Sequence, residues 1–174
     1  WTIFMVMKRY AEEPPARYFD GATVNGGFIA QNAVSGVGQA TMYAGSFIVT
    51  GYGLPIGEYS VIRGTFNGAS SSMSQSTRPE YTGSIGTAAA GVITIAAAGN
   101  NALTFNAQID VAEVIVYSSA VSPANTSRIY DYLGQKYHLY QQIEVFFEGD
   151  SLTEGAYCSI TPYPTLALAA LGTA

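Results

Sequence analysis

The sequence predicts a mainly β protein, an antiparallel sandwich with one C-terminal helix, followed by the short strand–turn–helix start of an α/β domain. Three observations carry this. Short apolar runs recur from Trp1 to Tyr117 with Gly and Asn turns between them and almost no helical spacing. A single stretch after Ser122 then shows the helical repeat. Beyond it the pattern switches: an apolar strand runs straight into Gly149-Asp150-Ser151, two prolines and a helix-like segment.

Trp1 to Arg9 is apolar on both alternating faces, as expected of a central strand covered on two sides. It reads as beginning within a domain whose first strands precede it. Glu12, Glu13, Pro14 and Pro15 break it. Arg17–Phe19 and Gly27–Gln31 are short strands around the turn dipeptides Asp20-Gly21 and Asn25-Gly26. Ala40–Tyr43 and Phe47–Thr50 flank Gly45. Glu58–Phe66 alternates, with Tyr59, Val61 and Arg63 on one face and Ser60, Ile62 and Gly64 on the other, and runs into the hairpin signal Asn67-Gly68. Ser70–Ser76 is polar and weakly patterned, a strand or a loop. Val92–Ala97 and Leu103–Phe105 flank Gly99-Asn100-Asn101, and Ile109–Tyr117 is the clearest strand. Ser122 then caps a helix with Pro123 at its first position. Ile129, Tyr130, Leu133 and Tyr137 form its apolar face. The domain boundary falls near His138 to Gln142, giving a sandwich over 1–140 and a second, partial domain over 141–174.

Composition narrows the function. Hydrophobic residues make up 48% of the 174 and charged residues 11%, enough apolar material for a core. The net charge is −5, and the seven basic residues are scattered, so nucleic acid is not an expected partner. With one Cys and one His, neither an internal disulfide nor a Cys/His zinc site is expected. No metal or other cofactor is called for. The longest apolar stretch near the C-terminus, Leu166–Leu171, is far short of the roughly 20 residues a membrane-spanning helix needs.

Val111-Ala112-Glu113-Val114-Ile115-Val116-Tyr117, then Ser122-Pro123, Tyr132-Leu133 and Lys136-Tyr137, resemble the closing strand and helix of laminin-G-like, concanavalin A-like domains. Trp1–Val6 looks like an early strand of the same fold. The resemblance implies a jelly-roll sandwich of the kind that binds glycans or serves as an adhesive or spacer module. Fold alone does not assign which.

Val145-Phe146-Phe147-Glu148-Gly149-Asp150-Ser151-Leu152-Thr153-Glu154-Gly155 resembles the first block of SGNH/GDSL hydrolases, and Tyr163-Pro164 followed by Leu166 and the run Leu168–Gly172 resembles the start of the helix after it. The resemblance implies that Ser151 is a nucleophile whose backbone N–H helps hold the oxyanion, with Gly149 and Asp150 as motif members. A serine hydroxyl needs a base, usually a His oriented by an Asp, and an oxyanion hole needs further donors. After Ser151 there is no Asp, Asn or His, so this chain by itself is expected to be inactive.

Other residues carry weaker signals. His138, the only His, is expected to end the helix rather than serve Ser151. Glu113, placed on a face with Val111 and Ile115, is expected to hydrogen-bond the helix or a loop; glycoside hydrolysis usually needs a second carboxylate. Tyr43, Tyr52, Tyr59 and Tyr81 are the candidate sugar-stacking residues, although most of the 13 tyrosines and eight phenylalanines are expected to fill the core and cross-strand pairs. The Ser70–Thr77 stretch offers polar contacts or a solvated loop. Asp20 and Asp110 lie in no acid-rich calcium loop, and Cys158 reads as a packing residue.

The expected function is thus a glycan-binding or adhesive sandwich attached to an SGNH-type ester hydrolase, such as a carbohydrate O-acetylesterase, that is incomplete in this chain. The expected partner is a polysaccharide surface, and the expected location extracellular or on a virion. The alternative is a structural component of a virion, tail fibre or cell-surface assembly, packed against copies of itself or other neighbours. A third reading is an esterase completed by an Asp-x-x-His segment from elsewhere.

Overall fold

The computed structural model describes residues 1–11, 15–21, 27–32, 39–76, 78–87, 91, 93–98 and 105–139. All belong to the first of the chain's two units, Trp1–Tyr140. The second, Gln141–Ala174, and with it Gly149, Asp150, Ser151 and Cys158, lies outside the described residues.

Among the described residues, ten strands form two five-stranded antiparallel sheets. They are β1 (Thr2–Arg9), β2 (Ala16–Gly21), β3 (Phe28–Asn32), β4 (Gln39–Tyr43), β5 (Phe47–Val49), β6 (Tyr59–Thr65), β7 (Ser71–Gln75), β8 (Tyr81–Gly83), β9 (Ile93–Ile95) and β10 (Ile109–Tyr117). One sheet has the order β10-β1-β6-β7-β8, the other β5-β4-β3-β2-β9. The one α-helix among the described residues, α1 (Pro123–Tyr137), follows β10.

β1 shows why the first nine residues are apolar on both sides. Ile3, Met5 and Met7 point between the sheets, where they meet Phe19, Ile29 and Met42 from the second sheet. Phe4 and Val6 point outward, where Val61 and the fully buried Leu133 of α1 cover them. The described unit therefore has three layers, helix on sheet on sheet. Each fully buried side chain of this size contributes about 1.5–3 kcal/mol relative to exposure.

The helix begins and ends as its sequence requires. The Ser122 hydroxyl accepts from the Asn125 backbone N–H at 3.4 Å, and Pro123 takes the position where no N–H is needed. His138 adopts a left-handed conformation (φ 51°) and donates its N–H to the Gly134 carbonyl, closing the last turn.

Three local expectations are corrected. Asp20 and Gly21 do not turn the chain; both stay in β2, paired to β3 and β9. Pairing on both edges and the ion pair from Arg17 to the buried Asp20 outweigh a two-residue turn preference. Asn25-Gly26 lies outside the described residues. Phe105 is not in a strand; it has φ 60° and its carbonyl accepts from the Arg17 N–H. Val111 does not share a face with Glu113. The register between β1 and β10 slips so that Val6 faces Glu113 and Met7 faces Val111, leaving Ala112 unpaired as a bulge. Ile109 and Val114 consequently both pack between the sheets, while Ile115 and Glu113 are on the helix side.

Arg9 ties the end of β1 to the segment before β6. It is buried, and its Nε donates to the Leu54 carbonyl at 2.7 Å and the Pro55 carbonyl at 3.2 Å. Arg9→Lys keeps the charge but loses the planar fork, and is expected to cost about 2 kcal/mol in chemical unfolding.

Candidate functional site: a polar cleft beside the helix

The outer face of the first sheet is divided. Its β1 and β10 half, with Val61 of β6, is apolar and lies under α1. Its β7 and β8 half is polar. Strand β7 alternates so that Ser71, Met73 and Gln75 point between the sheets, leaving Ser72 and Ser74 on the helix side, opposite Thr65 and Arg63 of β6. The stretch that reads as strand or loop is thus a strand whose outward face is a row of hydroxyls.

Between this row and the N-terminal half of α1 lies a cleft of ≈ 460 Å³. Arg63, Ser72, Ser74, Ser76, Arg78 and Glu80 line the sheet side, and Pro123, Thr126, Ser127 and Tyr130 the helix side. Arg63 Nη2 donates to Ser72 Oγ at 3.2 Å and forms an ion pair with Glu80 Oε1. Ser74 and Tyr130 hydroxyls bond across the cleft at 2.8 Å. Arg63 Nε is buried without a hydrogen-bond partner.

The four candidate tyrosines do not converge. Tyr43 packs on Phe47, with centroids 4.6 Å apart at 48°. Tyr59 is exposed at the start of β6, with Lys8 Nζ 5.1 Å from its ring. Tyr52 and Tyr81 form an edge-to-face pair at 5.5 Å, and Arg78, which lines the cleft, lies 5.2 Å from the Tyr52 ring. Tyr81 faces Met73 in the register and packs on the core between the sheets, so this pair lies on the other face of the first sheet from the cleft. Burial, then Tyr81, pushes the Tyr52 phenol above its ordinary range.

The other singled-out residues have structural partners. Glu113 accepts from Lys136 Nζ at 3.1 Å and from the Tyr137 and Tyr132 hydroxyls at 3.0 and 3.2 Å, tying β10 to the last turns of α1. Burial alone would raise its carboxyl, but these bonds outweigh that and hold it below the ordinary 4.5. A lowered carboxyl stabilises the fold above its unfolded-state value and loses that contribution as pH falls through the folded one. Glu113→Gln is therefore expected to cost about 1 kcal/mol or less at pH 7. In urea titrations the gap from the parent should close below pH 4.5. Asp20 pairs with Arg17, and Asp110 lies 3.6 Å from Lys8 Nζ. His138 ends α1.

Among the described residues, no group of three or more His, Cys, Asp or Glu is arranged to hold a metal ion. None of their helices is long and apolar enough to cross a membrane. The sequence signals identified Arg63's face and the polarity of Ser70–Ser76 but not their meeting with Glu80 and Tyr130, because those contacts span 17 and 56 residues. No protein-family model matches the chain, and no curated protein matches it either.

Proposed function

We propose that the sandwich is a glycan-binding module of the laminin-G-like, jelly-roll kind, and that the segment beyond it opens an SGNH-type ester hydrolase. The observation that supports the binding reading is the cleft: a row of serine hydroxyls, a buried arginine, a carboxylate and a tyrosine hydroxyl facing one another at one open groove. Saccharides are recognised by such dense, fixed donors and acceptors. In this reading Ser72, Ser74 and Arg63 bond the saccharide, and Tyr130 closes the helix side of the groove.

The test is calorimetric titration of the 174-residue chain with neutral and acidic oligosaccharides. Binding by the parent, weakened about tenfold or more in Ser72→Ala/Ser74→Ala, is the expected result. Binding untouched by that pair removes the cleft from the reading.

For the hydrolase segment, Ser151 is the proposed nucleophile of a longer polypeptide that supplies the base and its orienting acid. The 174-residue chain is expected to hydrolyse p-nitrophenyl acetate no faster than its Ser151→Ala variant.

A second reading has its own support. Ile93, Ile95, Val116 and Tyr117 are large apolar side chains exposed on β9 and β10, as on a module that packs against neighbours in a fibre or virion. Sedimentation that shows concentration-dependent assembly, lost in Ile95→Lys, would favour it.

A further inference from the structure

The cleft carries a charge and donor pattern that discriminates among saccharides. Two of the chain's seven basic residues, Arg63 and Arg78, line it against one carboxylate, Glu80, in a chain of net charge −5. The opposite wall is the start of a 15-residue helix whose first turn has no acidic residue. The positive end of its dipole is thus uncompensated.

Arg63 is the centre of the pattern. It is 8% exposed, yet its buried Nε has no partner. The Nε–Nη2 edge of a guanidinium is a two-donor fork that matches both oxygens of one carboxylate. Glu80 engages Nη2 with Oε1 and leaves Nε unused. The Glu80 side chain is itself 46% exposed and sits just before β8, so it can turn into solvent without disturbing the core.

We propose that the cleft takes an acidic saccharide, a uronate-type sugar whose carboxylate replaces Glu80 on the Nε–Nη2 edge of Arg63. Its ring hydroxyls meet Ser72 and Ser74, and Arg78 adds long-range attraction. This rests on the glycan-binding reading of the same cleft. Glu80 acts as a resident counter-ion that keeps the arginine neutralised while the cleft is empty.

The experiment is calorimetric titration of the full chain with oligogalacturonate and oligoglucuronate, and with the same oligomers after reduction of their carboxyls to alcohols. At least one acidic oligomer is expected to bind about tenfold or more tightly than its reduced form, with affinity falling as salt rises. Glu80→Gln should tighten acidic binding by about three- to tenfold, because the competing carboxylate is gone. Arg63→Lys should weaken it by about tenfold even where its melting curve matches the parent's. Equal binding of acidic and reduced oligomers overturns the acidic preference and leaves the glycan reading standing. Binding of neither overturns both. Acidic binding that weakens in Glu80→Gln, or is unchanged in Arg63→Lys, overturns the assignment to this arginine.

Discussion

Leu133→Ala is expected to lower the unfolding free energy by about 3 kcal/mol, read as a shift of the urea midpoint at unchanged slope. Leu133 is the one fully buried apolar side chain on α1, and it meets Phe4, Val6 and Val61 on the outer face of the first sheet. Those three belong to β1 and β6, which are paired to neighbours along their length, so the sheet cannot rise to fill the space left behind. The cost is therefore the lost transfer energy plus that of a cavity. Helix propensity does not offset it, since Ala and Leu are close on that scale. Gln135→Ala, two residues further on the exposed face, is the control and should change stability by less than about 0.5 kcal/mol. The substitution also reaches the cleft. Thr126, Ser127 and Tyr130 on the same helix form its second wall, so a loosened α1 should weaken saccharide binding although Leu133 does not line the cleft.

The layers of the fold were legible where one residue pattern has one physical cause. The run from Trp1 to Met7, apolar at every position but Thr2, demanded cover on both faces, and the two cores provide it. Ser122-Pro123 and the Ile129–Leu133–Tyr137 face marked α1, and Glu113 was readable as a partner for that helix. The bulge at Ala112 was not readable, because it depends on how β10 registers against β1 and not on any residue type. β8 escaped because three residues are too short to show a period. The cleft was only half visible. A row of serines on a strand has the composition of a loop, and what separates the two is pairing with β6 on one side and β8 on the other. The partners that give those serines chemical meaning arrive from distant parts of the chain. Ser151 and its motif stand apart from this comparison, since they lie outside the described residues.

Gly86→Ala is expected to cost about 3 kcal/mol, against about 1 kcal/mol for Gly57→Ala, both measured by chemical unfolding. Both glycines have positive φ, 91° and 80°, where an L side chain is strained. Their surroundings differ. A Cβ on Gly57 meets nothing within 4 Å, so its substitution reports backbone strain alone. A Cβ on Gly86 runs into the carbonyl of Ala44, a backbone atom that has no rotamer to escape into. Nor can the segment back away freely. The preceding Ile85 is fully buried between the sheets, and its carbonyl accepts from the Ser46 N–H at 2.8 Å, pinning this strap to the turn between β4 and β5. Relief requires either moving Ile85 out of the core or breaking that bond, and each costs more than the strain itself. The difference between the two variants isolates this contact. Equal losses would mean that the β4–β5 turn yields to the strap, and that the second sheet is held at this edge by its own pairing and not by Ile85–Gly86.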